Sequence, residues 1–308
     1  MLAIVLALAS AIAYGGSDYT AGLASRGVSV IQVTLLGAAA SALVVAAALP
    51  FAAPHPPGAA SLAWGAVAGL GEAVGALALY HGFRHAAFSV AGPLSAVGAA
   101  GFAVLAGLAF GERPSALALT GIVLALPAIV GVSASAVSAE AQAGPGAPQA
   151  SAGPGEAVGE EGQARGRFTG VAAGLIAGAC FALLFIGLDR AGSRDGLWPV
   201  AGASAAEVAV AAVVAAATRN IRWPGTRLGL LAAFTGVTGA GGIIAYFFAT
   251  HDGYLAVTAV LASLYPGVTI VLARVLLGEK LTALRLAGLA LAAACVALIA
   301  AGGAGGAG

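Results

Sequence analysis

Residues 111–115 read Gly111-Glu112-Arg113-Pro114-Ser115, and residues 278–282 read Gly278-Glu279-Lys280-Leu281-Thr282, the same Gly-Glu-basic-x-hydroxyl pattern 167 positions later. Upstream of each, Tyr80 and His85 recur as Tyr246 and His251 at a spacing of 166. Four landmarks in one order and nearly one register mark a duplicated unit, because a biased composition supplies single matches by chance but not an ordered set.

Working outward from these junctions, ten apolar segments can be drawn: 2–24, 28–49, 58–80, 87–110, 115–135, 168–188, 197–217, 228–250, 254–277 and 283–302. A bilayer core of roughly 30 Å takes about 20 apolar residues per helix, and these segments fit that length. Turn chemistry separates them, as at Pro54, Pro56 and Pro57 and at Arg222-Trp223-Pro224-Gly225. The fold class expected is an all-α integral membrane protein of ten transmembrane helices in two five-helix repeats. The first repeat spans 1–135 and the second 168–302. Residues 136–167, rich in Ala, Gly, Pro, Gln and Glu, read as a disordered linker, and 303–308 as a flexible tail. An odd number of spans per unit makes the second copy enter the membrane from the opposite side, giving an inverted repeat of the kind that suits alternating access.

Composition agrees. Of 308 residues, 60% are hydrophobic and 8% charged, with a mean hydropathy of +1.01, too few charges for a water-facing surface. A net charge of +1 leaves no basic face for nucleic acid. Cys180 and Cys295 lie singly in apolar runs, far from any metal-ligand spacing, so no metal or cofactor is expected. The N-terminus lacks the positive leader of a secretory signal and reads as a retained first helix. The partners expected are the lipid bilayer and a small solute, in the plasma (cytoplasmic) membrane; the sequence does not fix an oligomeric state.

Glu72 and Glu207 stand near the centres of the third and seventh segments, where an ionised carboxylate costs at least about 3 kcal/mol unless it faces water or a partner. A glutamate there can bind a cationic solute, exchange a proton, or simply hydrogen-bond a neighbouring helix. A shift of 166 sets Glu72 opposite Thr238 and Gly75 opposite Gly241, so the carboxylate is not part of the repeated scaffold. Asp18, after Gly15-Gly16, is a further candidate for a cavity wall. Asp189, followed by Arg190, reads as a surface ion pair. Ser263 and Tyr265, beside Pro266 in mid-segment, are placed to hydrogen-bond a solute, and Pro266 and Pro93 are candidate helix breaks for gating. Tyr80 and Tyr246 read as interfacial anchors with His85 and His251 solvated beyond them. Glu112 and Glu279 sit at helix ends, where Ser115 and Thr282 can cap the next helix; no residue is expected to be catalytic.

Ten helices in two halves, the paired Gly-Glu-basic-x-Ser/Thr junctions and Tyr265-Pro266 ahead of the second junction resemble the EamA family of the drug/metabolite transporter superfamily over nearly the whole chain. The stretch Tyr14-Gly15-Gly16-Ser17-Asp18-Tyr19-Thr20-Ala21-Gly22-Leu23 is similar to a subgroup of its members. The first half departs from the pattern: Pro266 lies 13 residues before Glu279, but Ala99 holds that place before Glu112, with Pro93 earlier. The resemblance implies a secondary transporter, often an exporter, of metabolites or drugs, with proton coupling open. An intramembrane lipid-modifying enzyme would need convergent His, Asp, Ser or metal-ligand motifs at helix ends, and none is seen in the sequence. A non-transporting membrane subunit would show no dependence on Glu72 or Glu207.

With alternating spans, Arg26, Arg84, Arg165, Arg167, Arg219, Arg222, Arg227, Arg274, Lys280 and Arg285 fall on one side, and Arg113, Arg190 and Arg194 on the other. The positive-inside rule makes the first side cytoplasmic and puts both termini outside, whereas the family resemblance implies termini inside.

Overall fold

In a hydrocarbon solvent each backbone N–H and C=O must find its partner within its own segment, so apolar segments of this length become helices. The computed structural model describes residues 1–25, 27–53, 55–85, 88–134, 160–218, 225–277 and 282–303. Its helices are α1 (Leu2–Ser25), α2 (Val30–Ala52), α3 (Ala59–His85), α4 (Phe88–Ala109), α5 (Ala116–Ala134), α6 (Glu160–Arg190), α7 (Trp198–Thr218), α8 (Thr226–His251), α9 (Leu255–Ala262), α10 (Tyr265–Leu277) and α11 (Ala283–Gly302). Among the described residues eight stretches are long and apolar enough to cross a membrane, and Leu94–Ala109 and Ala116–Gly131 are two shorter apolar helices. The protein is an all-α integral membrane protein.

Three boundaries differ from the sequence expectation. α3 runs on to His85, taking Tyr80 and His85 into the helix. α6 starts at Glu160, inside the stretch expected to be linker, because Glu, Gln, Ala and Arg are good helix formers and acidic residues suit a helix N-terminus. The rest of the expected linker lies outside the described residues. The ninth span is split into α9 and α10 at Ser263–Leu264, with Pro266 in the first turn of α10, where its missing N–H is not needed. α4 passes position 93 without a break, so Pro93 does not interrupt it; Ala99 stands where the second half has Pro266, and alanine leaves the helix whole. The side chains of Tyr80, His85 and Pro93, and all of Gly278 and Glu279, lie outside the described residues.

Short side chains bring the spans together. α3 packs on α6 and α7, α1 on α8 and α10, α2 on α7 and α8, α4 on α6 and α9, and α5 on α11. Exchange each helix for its counterpart in the other half and these pairings map onto themselves. Individual contacts recur as well. Gly69 lies against the backbone of Ala203, and Gly236 against that of Gly37; Gly75 lies under the ring of Phe181, and Gly242 under that of Tyr14. This packing corrects the register near Glu72. Gly75 corresponds to Gly242, 167 positions on, rather than to the exposed Gly241, and Glu72 therefore stands opposite Gly239 rather than Thr238. Ser115 accepts the Ala118 N–H at 3.2 Å and Thr282 the Arg285 N–H at 3.3 Å, capping α5 and α11.

Candidate functional site

The site follows from one helix register. Along α3, Gly65 meets the backbone of Pro199 and Gly69 that of Ala203, so α3 and α7 run side by side in the same direction at close approach. Glu72 comes three residues after Gly69 and Glu207 four after Ala203. The next turn of the same contact therefore sets the two glutamates together, within each other's electrostatic field. Both are half-buried, and among the described residues neither forms a hydrogen bond or an ion pair. The structure thus unites two residues that the sequence offered only singly.

α1 closes the group from the other side. Tyr14 lies over Gly242 of α8, and its hydroxyl is buried without a hydrogen-bond partner among the described residues, in electrostatic reach of Glu72, Glu207, Tyr246 and Asp18. Tyr14 was not singled out by sequence reasoning; the signal was its place opposite Phe181 in the repeat, an aromatic position that carries a hydroxyl in only one half. Asp18, one turn further on, keeps exposed surface although protein surrounds it, the combination found on a cavity wall. Its neighbours on α1 fasten the helix to α8: Ser17 donates to the Thr235 carbonyl at 3.0 Å, and the Thr20 and Thr235 hydroxyls are 2.9 Å apart.

The split span joins this group through α1. A Cβ on Gly15 would fall 2.8 Å from the Tyr265 carbonyl oxygen and 2.6 Å from the Val268 Cβ, so only glycine admits this approach. Thr269 donates to the Gly15 carbonyl at 3.1 Å. Ser263 is fully buried and its hydroxyl lacks a partner among the described residues. Tyr265 is half-buried, and its backbone carbonyl lies against Gly15 of α1.

Two comparisons bear on what this arrangement is. Residues 168–301 match the EamA-like transporter family. This half is similar to the EamA-like transporters. A solved protein crystal structure is similar over 96% of this chain and 95% of that one, at 20% identity and a TM-score of 0.70, which shows a shared fold. No curated protein matches the chain. Together with its apolar helices, the match makes the chain a multi-pass membrane protein.

A second polar group lies at the end of the helix bundle where α4, α6 and α8 finish. The carboxylate of Glu112 accepts the backbone N–H groups of Leu255, through Oε1, and of Ala256, through Oε2 at 2.9 Å. These are the first N–H groups of α9, whose own N-cap, Tyr254, supplies no side-chain bond. Burial pushes the Glu112 carboxyl above the ordinary glutamate range, the two backbone bonds oppose that rise, and the charge of Asp189 adds to it. Asp189 accepts from the Thr250 hydroxyl at 2.9 Å, while the Arg190 guanidinium lies 4.6 Å from the centre of the Phe110 ring. Asp189 and Arg190 lie in electrostatic reach of each other and each makes a further contact besides. Tyr246 is not an interfacial anchor: it is wholly buried, with its ring 4.5 Å from that of Phe185. His251 is half-buried at the end of α8, with Nδ1 2.6 Å from the Phe247 carbonyl oxygen and its ring centre 4.5 Å from that of Phe247.

Proposed function

We propose that the chain is a secondary transporter of the cytoplasmic membrane that moves a small metabolite or drug-like solute by alternating access, working as a proton-coupled exporter. The observation that carries this reading is the meeting of Glu72 and Glu207 at mid-span. Two ionised carboxylates side by side in a low-dielectric layer repel, so the pair demands a positive counterpart, either a proton or a cationic group of the solute. A site that exchanges one for the other couples the two movements. The repeated contacts between halves support an inverted pair of five-helix units, since α3 and α6 run in opposite directions where Gly71 meets Cys180 and Gly187 meets Trp64. Tyr14 and Asp18 add a hydroxyl and an exposed carboxylate to the same wall.

The purified protein in liposomes, offered a panel of small cationic and neutral metabolites, should carry at least one cationic solute faster when a pH gradient is imposed. Flux no greater than in protein-free liposomes for every member, with and without the gradient, would remove the reading.

A further inference from the structure

By alternation of the spans, α1 begins and α11 ends on one face of the membrane, which also holds the connections α2–α3, α4–α5, α6–α7 and α8–α9. Bonds between the two halves gather there. The Gly58 N–H donates to Asp195 Oδ2 at 2.8 Å, the Leu197 N–H to the Ala52 carbonyl at 3.0 Å, Trp198 Nε1 to the His55 carbonyl at 2.8 Å and the Ser115 hydroxyl to the Gly302 carbonyl at 2.8 Å. Asp195 accepts one N–H, just ahead of α3; Glu112 accepts two, the first of a helix. It is an acidic side chain of the first half and supplies the helix cap of α9, an element of the second half, across 143 residues of sequence. Gly107 makes the room, since a Cβ there would collide with the Glu112 carboxylate.

Behind Glu112, towards the mid-span carboxyls, the protein is closed but not apolar. Ser10 of α1 and Ser263 at the inner end of α9 are fully buried, and each hydroxyl lacks a hydrogen-bond partner among the described residues, while the Tyr246 hydroxyl of α8, also fully buried, faces those of Thr258 and Thr250. The helices that carry them pack on one another. Hydroxyl groups buried without partners are unfavourable, and a static scaffold gains nothing from two of them on helices packed together. A second state in which water reaches these groups would satisfy both. On the far side of Tyr14, by contrast, Asp18 already has exposed surface.

We infer that Glu112 is the latch of a gate: its bond to the first turn of α9 holds the path shut on the face bearing the termini, and its release lets the α8–α9 corner part from the α4–α5 corner so that this path fills with water. The inference rests on the alternating-access reading, but its test needs no solute. Cys180 and Cys295 are replaced by alanine, Ser263→Cys serves as reporter about 12 Å along α9 from the latch, and a membrane-impermeant maleimide is applied to sealed vesicles. A cysteine added after Gly308 identifies the vesicles whose terminal face is outward. Glu112→Ala should raise labelling from the terminal face roughly 10-fold while labelling from the opposite face stays as it was. Glu112→Asp, a gentler change that keeps the charge, should move the same rate in the same direction by less. Unaltered labelling in both variants, or an equal rise from both faces, would overturn the latch, the second outcome marking general loosening. Failure of the transport reading would show instead as the absence of flux in liposomes with the labelling pattern intact.

Discussion

Replacing Gly69 by leucine should destabilise the protein by about 3 kcal/mol or more, at the upper end of what overpacking produces. A Cβ at this position falls on the carbonyl of Ala203, 2.7 Å from its carbon, and a backbone cannot step aside as a side chain can. The helices α3 and α7 must separate by the width of a side chain, and Glu72 and Glu207 part with them. Gly16 provides the contrast, since a Cβ there meets nothing within 4 Å, so Gly16→Leu should leave stability within about 1 kcal/mol of the parent. Thermal unfolding in detergent measures both. Equal melting of the two variants would show that the α3–α7 contact does not hold the site together.

The second large effect concerns transport rather than folding. Glu72→Gln and Glu207→Gln keep the shape of each side chain and remove its charge. For a solute whose cationic group is held by the pair, losing one charge partner in a buried setting is worth roughly 3–5 kcal/mol, a fall in flux of about 100-fold or more. Each variant should also lose the acceleration by an imposed pH gradient. Asp18→Asn, changing a carboxylate that is already exposed, should lower flux by less than about 10-fold. Liposome flux measured over a range of internal and external pH separates these outcomes. Parental flux with parental pH dependence in both glutamine variants would make the glutamates packing residues and nothing more.

The spans were legible in the sequence because the bilayer imposes a length on apolar runs and polar turns separate them. Glu72 and Glu207 were legible one at a time, since a lone carboxylate in such a run stands out against its surroundings. Their adjacency was not, because it depends on which glycine of α3 meets which residue of α7, and a chain with 47 glycines offers many registers of similar plausibility. The same abundance misled the alignment of the halves: Gly75 can be paired by identity with Gly241 or Gly242, and only the aromatic ring lying on Gly242 decides. Tyr14 was hidden for a different reason. An aromatic residue in an apolar segment satisfies packing wherever it falls, and its hydroxyl acquires meaning only from neighbours on α3 and α7. Glu112 was placed correctly at a helix end, but the helix it caps is the start of α9, distant in sequence and close only in the fold.

The division of the ninth span at Ser263–Leu264 leaves one membrane crossing with two kinds of surroundings. All eight residues of α9 are buried, each pressed by other side chains. Beyond the break, Val271, Val275 and Leu276 are exposed, which in the bilayer means that they touch acyl chains. A methylene added to α9 must displace a packed neighbour, whereas one added to that outer face of α10 displaces a fluid. A change of side-chain volume is therefore costly in the first part of the crossing and cheap on the lipid side of the second, and a single span answers to two solvents.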